Sequence, residues 1–229
     1  MRSARIEAAG PAGFRVAGTL EAPHQTSPDR RPAALVVHLD PALEPQVREL
    51  ALGLLEAGWV VLRLDAPADG STPPDRAAVQ GLEAAIEALS QQDGVDGERM
   101  ALVGLGRAGT LAYLAGCASR RVAAVVDAGG ALVRGEFSAA HPHEPLELAL
   151  NLGAPLLVLL GAEDPSTPPA QCALIEQALS RAMRSCELER APGCGARFLD
   201  PAAPGYHPRA ARAVRERIVR FLRASLELD

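Results

Sequence analysis

The apolar run Ala101-Leu-Val-Gly-Leu105 stops at Gly106 and resumes, past Arg107, as Ala108-Gly-Thr-Leu-Ala-Tyr113. A short apolar run broken by glycine reads as a buried strand, and the alanine- and leucine-rich stretch after it as a helix. A strand that turns this tightly into a helix belongs to a layered fold with helices packed on a sheet. The same residues spell Gly104-x-Gly106-x-x-Gly109, a dinucleotide-binding fingerprint in which backbone N–H groups and a helix N-terminus would face a pyrophosphate. Asp127 lies 18 residues after Gly109, at the end of the next predicted strand, where a ribose-binding acid belongs. Against that reading, the fingerprint usually opens the first strand of a nucleotide-binding unit, whereas here two strand–helix units precede it.

The rest of the chain alternates in the same way. Arg5-Ile-Glu7 and Phe14 to Leu20 predict an antiparallel hairpin within about residues 1–25, and Pro23 to Pro32 a polar loop. Strands are predicted at Ala33–His38, Val60–Leu64, Met100–Val103, Val122–Val126, Pro155–Leu160 and Cys186–Glu189. Helical spacing places Val47, Leu50, Ala51 and Leu54 on one helix ended by Gly58, and Leu82, Ile86 and Leu89 on a second. A third runs from Gly106 to about Ser119, a fourth from Ala170 to Ala182, and Val214, Ile218, Phe221 and Leu222 mark the last. This order predicts an α/β fold, a mostly parallel sheet flanked by helices on both faces, in a single domain spanning residues 1–229. The one long irregular stretch, Ala128 to Gly153, reads as a cap or a site-lining loop.

Composition removes several functional classes. The net charge is −5 and the arginines are scattered among glutamates, so no nucleic-acid footprint is expected. No apolar run approaches the ~20 residues of a membrane span. Without an apolar leader, a cytoplasmic location is expected. Cys117, Cys172, Cys186 and Cys194 lack metal-binding spacing and read as reduced thiols. His141 and His143 are too few for a metal site, and no metal or cofactor is expected.

Longer motifs bear on the elbow. Val103-Gly-Leu-Gly-Arg-Ala-Gly109 is followed by Thr110-Leu-Ala-Tyr113. Gly161-Ala-Glu-Asp164-Pro-Ser-Thr-Pro168 follows an apolar strand. Pro192-Gly-Cys-Gly-Ala196-Arg-Phe198 leads into Asp200-Pro-Ala-Ala-Pro204-Gly-Tyr206-His-Pro208 and a final helix. In order, spacing and flanking residues, from about Arg31 to the C-terminus, the chain resembles the dienelactone hydrolase family of α/β-hydrolases. The resemblance implies the α/β-hydrolase fold and an ester or lactone hydrolase ancestry. It also implies a nucleophile at position 106, a histidine at 196 and an acid at 164.

This chain departs from the family pattern where the chemistry sits. Gly106 supplies no thiol or hydroxyl, and Ala196 no imidazole. Asp164 alone remains of the triad and is read as vestigial. Leu39, after His38, stands where family members often carry a glutamate. The reading is therefore a homologue without the Cys/Ser–His–Asp mechanism, whose pocket holds a small anionic ligand, carboxylate or lactone-like. The pocket candidates are His38, Leu39, Arg107 and Arg197. Two alternatives stay open: non-nucleophilic or residual ester/lactone chemistry, and dinucleotide binding through Gly104, Gly106 and Gly109.

Overall fold

The computed structural model describes residues 1–11, 15–23, 29–67, 71–182 and 185–226. Phe14 of the predicted hairpin, and residues 24–28 of the predicted polar loop, lie outside them. The elements in chain order are β1 (Arg2–Ala9), β2 (Arg15–Ala22), β3 (Arg31–His38), α1 (Glu44–Glu56), β4 (Val60–Leu64), α2 (Asp75–Ser90), β5 (Val95–Leu105), α3 (Ala108–Ala118), β6 (Ala124–Ala128), β7 (Leu156–Gly161), α4 (Pro169–Ala182), β8 (Cys186–Ala191) and α5 (Pro208–Leu226).

One eight-stranded sheet runs in the order β1-β2-β4-β3-β5-β6-β7-β8. The hairpin β1–β2 joins β4 antiparallel, and every pairing from β4 to β8 is parallel. Helices α2, α3 and α4 cover one face and α1 with α5 the other. Each face of the inner strands is thus buried, which is why Ala33-Ala-Leu-Val-Val37 is apolar without alternation. Helix α5 shows the opposite pattern. Ala211, Val214, Ile218, Phe221, Leu222 and Leu226 are buried at helical spacing, and arginines fill the rest of its surface. Burying each larger side chain contributes roughly 1.5–3 kcal/mol.

Two boundaries differ from the sequence reading. β5 starts at Val95, before the apolar run, because its first residue pairs with Arg31 through a register shift ahead of Ala33–Met100. β6 starts at Ala124 rather than Val122, since pairing with β5 begins at Ala101–Ala124. The stretch after β6 is also more ordered than a loop. It holds a 3₁₀ segment at Pro145–Asn151 and is strapped to the start of α2. Arg134 donates to both Asp75 oxygens (2.5 and 3.0 Å), His141 Nδ1 lies 3.0 Å from Asp75 Oδ1, and the Asp75 N–H donates to the Ala140 carbonyl (2.9 Å). Burial works to raise the Asp75 carboxyl, but bonds from Arg134 and His141 hold it below its ordinary value.

Helix α3 sits unusually close to the sheet, with every residue from Ala108 to Gly116 buried. Glycines permit it. A Cβ on Gly104 would stand 2.2 Å from the Ala108 carbonyl oxygen, and one on Gly109 1.9 Å from Asp127 Oδ1. This corrects the dinucleotide reading. Gly104 and Gly109 are packing positions, and Asp127 lies wholly buried beneath them with 0% exposure, out of reach of any ribose. Its Oδ1 accepts the Gly130 N–H (2.7 Å), and among the described residues its Oδ2 has no hydrogen-bond partner. Burial pushes the carboxyl up to about 7, against the lowering effect of the Gly130 bond.

Two stability measurements check this packing. Gly109→Ala should lower stability by about 3 kcal/mol, at the upper end of overpacking costs. Gly53→Ala in mid-α1, where a Cβ meets nothing nearer than Val219 Cγ2 at 3.6 Å, should be neutral or stabilise by up to about 1 kcal/mol. Urea unfolding of both variants reads the contrast. For Asp127, the folded pKa lies above the ordinary 3.8, so its contribution is fully present below about pH 4 and is lost as pH rises to about 7. Asp127→Asn should therefore match the parent near pH 4 and exceed it at pH 8 by a few kcal/mol, at about 1.4 kcal/mol per pKa unit. An offset independent of pH would contradict the buried charge.

Candidate functional site

In an open α/β sheet, ligands settle beyond the strand carboxyl ends where the chain order reverses. Here that point lies between β3 and β5, because β4 lies on one side of β3 and β5 on the other. A cavity of about 280 Å³ opens there. Leu39, Asp40 and Leu43 wall it after β3, Gly106 and Arg107 after β5, Gly129 after β6, and Arg197 to Asp200 from the β8–α5 loop.

Gly106 forms the floor. Its φ is +60°, a left-handed conformation that glycine adopts without the penalty of a side chain. The turn is held by the Gly106 N–H donating to the Ala128 carbonyl (2.8 Å) and the Gly109 N–H to the Gly106 carbonyl (2.9 Å). A Cβ here would touch only the end of the Leu43 side chain, Cδ1, at 2.9 Å. The turn keeps the shape that presents a residue to the cavity.

Two arginines reach the cavity. Arg107 precedes the first residue of α3, and its Nη1 donates to Thr72 Oγ1 (2.5 Å). Arg197 has φ +56°, the only non-glycine with positive φ among the described residues. Such a conformation costs on the order of 1–2 kcal/mol. It persists because Asp200 binds it twice: the buried carboxylate accepts from Arg197 Nη2, and the Asp200 N–H donates to the Arg197 carbonyl (2.9 Å). Arg197 Nη2 also reaches Asp40 Oδ2 at 3.4 Å, while Asp40 Oδ1 caps the Ala42 N–H (3.0 Å). The guanidinium thus ties the β3 loop to the β8 loop. Asp40 and Asp200 carry this arrangement and were not singled out from sequence; a pairing across 157 residues leaves no local pattern.

Of the remaining sequence candidates, Leu39 lines the cavity and the others do not. His38 is 2% exposed; its Nδ1–H donates to the Asp40 carbonyl (2.9 Å), and Nε2 lies 3.2 Å from Glu44 Oε2 without the alignment of a hydrogen bond. Glu44 is bound in turn by Arg63 (2.8 Å), which also binds Glu21 (2.8 Å). His38 therefore lies beside the Glu44–Arg63–Glu21 ion pairs on the α1 face. The acid and histidine loops remain docked, with the Glu163 N–H donating to the Cys194 carbonyl (2.8 Å). Yet Asp164 spends its Oδ1 on the Ser166 N–H (2.8 Å) and hydroxyl (2.7 Å), and Ala196 is exposed outside the cavity wall. Cys194 is 1% exposed with its thiol pushed up by burial, which disfavours the reactive thiolate. Among the described residues no cluster of His, Cys, Asp and Glu could hold a metal, and no helix is long and apolar enough to cross a membrane.

Known proteins share this architecture. A sequence model of the dienelactone hydrolase family matches residues 68–226. A Bradyrhizobium sp. protein named "Probable 2-oxo-3-(5-oxofuran-2-ylidene)propanoate lactonase" is 26% identical over 211 residues, covering 85% of this chain and 84% of its own. A Salmonella typhimurium (strain LT2) protein named "Putative carboxymethylenebutenolidase" is 30% identical over 127 residues, 56% of this chain and 47% of that protein. The matched region thus spans about half the length of that relative. The crystal structure of a "Putative Dienelactone Hydrolase" from Klebsiella pneumoniae superimposes with a TM-score of 0.81 at 21% identity, covering 97% of this chain and 99% of that one, which shows the α/β-hydrolase fold. A family match across well over half of the sequence, on a sheet and strand–turn–helix elbow of this form, has one reading: the chain belongs to the dienelactone hydrolase family.

Proposed function

We propose that this protein does not use the nucleophile–histidine–acid mechanism and instead holds a small organic anion in the cavity above Gly106. The observation that carries the reading is the cavity wall itself, which offers no thiol, hydroxyl side chain or imidazole among its described residues. Attack on an ester carbonyl needs such a nucleophile with a base in reach. What the wall offers instead is the first turn of α3 beside Arg107. Backbone N–H groups there carry the positive end of the helix dipole, and a guanidinium adds a forked donor matched to a carboxylate. The N–H that follows an elbow nucleophile lines an oxyanion hole in active hydrolases, and the Arg107 N–H occupies that place in the turn. Binding survives without a nucleophile because the elbow shape is set by backbone bonds and packing.

The Bradyrhizobium relative is named for a substrate that joins a carboxylate to an unsaturated lactone ring. A carboxylate or lactone acid of that size is the class to test first. Arg197 pairs with Asp200 and Asp40 and shapes the wall; Arg107 is assigned the anion because it lines the cavity immediately before the first turn of α3.

Two assays test the reading together. With p-nitrophenyl esters and dienelactone the protein should show neither burst nor turnover above background; turnover that falls on Asp164→Asn would overturn the non-hydrolytic reading. In thermal unfolding, a short 2-oxo acid at ten times its Kd should raise Tm by about 3–6 °C. Arg107→Ala should remove most of that shift. No shift with any carboxylate would sink the anion reading.

A further inference from the structure

A second cavity, of about 300 Å³, adjoins the first on the other side of Leu39. Leu39 borders both. The second cavity lies between the ends of β3 and β4 and the facing sides of α2 and α3, and Val37, Leu64, Ala78, Leu82 and Leu111 give it an apolar wall. Of the polar residues described in its lining, Arg15, Asp65 and Ser71 are exposed and His38 is buried. Arg107 reaches from the first cavity to the rim of the second. That residue lines the first, and its guanidinium donates to Thr72, whose chain neighbours Ser71 and Pro73 line the second.

We propose that the two cavities form one bipartite site for a straight-chain monocarboxylate, with the carboxylate at Arg107 and the first turn of α3, and the alkyl tail past Leu39 in the apolar chamber. The inference rests on the anion reading above and deepens it to a ligand class. The chemistry at each end supports the assignment. A guanidinium and backbone N–H groups suit a carboxylate. Apart from His38, the buried residues of the chamber wall carry hydrocarbon side chains, so water beside them would find few partners and methylene groups would replace it favourably. At roughly 30 Å³ for each water-sized group, the chamber holds a tail on the order of ten carbons.

Isothermal titration of the full chain with butanoate, hexanoate and octanoate tests this. Each buried methylene should tighten binding about fourfold, which makes octanoate roughly two hundredfold tighter than butanoate. Leu111→Trp, which fills the chamber, should flatten that gradient until the three acids bind alike. If that variant fails to fold, Ala78→Leu narrows the same chamber from α2 and should cut the gradient. Arg107→Ala should weaken all three acids by a similar factor. Equal affinities for butanoate and octanoate in the parent would overturn the bipartite site while leaving the anion reading standing. A gradient that persists in both chamber variants would place the tail elsewhere and also overturn it. Binding of none of the three would remove the anion reading and this inference with it.

Discussion

The contact on which the rest of the molecule depends is the close approach of α3 to β5 and β6. Gly104 lets the β5 backbone touch the Ala108 carbonyl, and Gly109 lets the helix settle on the buried Asp127. That approach leaves no room for a gradual exit from the strand. The chain must reverse within Gly106 and Arg107, and the left-handed φ of Gly106 follows from that requirement. The cavity follows in turn, because the sharp reversal sets Gly106 and Arg107 in its wall at the place where strand order changes hands. An anion site, if built, is a by-product of packing.

Much of this was legible in the sequence because packing with fixed periods leaves fixed patterns. The doubly buried strands, the stripe on α5 and the elbow all have local signatures. The boundaries of β5 and β6 did not, since both are decided by a partner strand: Asp96, Glu98 and Arg99 do not read as strand, yet they continue β5 once Val95 pairs with Arg31. The strap after β6 was hidden for a similar reason. Asp75 opens α2, and nothing near it in sequence announces Arg134 and His141. At the site, Gly106, Leu39, Arg107 and Arg197 were each visible from motif position. His38 was misplaced because residues alternate across a sheet: its neighbours Val37 and Leu39 face the α2–α3 side, and its own ring faces α1. The three glycines and Asp127 imitate a dinucleotide fingerprint because close strand–helix packing demands glycine whatever the helix end binds.

Arg197 shows where strain is stored. A residue with a Cβ in the left-handed region is costly, and two aspartates and a backbone bond are arranged to hold it. Such a conformation persists only where surroundings over-determine it. It lies one residue past Ala196, the position of the family histidine. The loop that delivers an imidazole in the family here delivers a guanidinium, already paired, into the cavity wall. The outcome is structural: it closes the gap between the β3 and β8 loops and gives the cavity a fixed side.

These constraints explain why the elbow of this fold can form without a side chain at its turn. A catalytic side chain at position 106 would depend on the backbone turn, but the turn does not depend on the side chain. Its hydrogen bonds to Ala128 and within the first turn of α3 use only backbone atoms, and Gly106 relieves the cost of a positive φ. The same holds for the acid loop, where Asp164 is satisfied by Ser166 without any histidine. With glycine at 106 and alanine at 196, the described bonds of both loops are therefore all in place. Selection on this site would then act through what remains exposed to a ligand: the donors of Arg107, the apolar partition Leu39, and the space on either side of it.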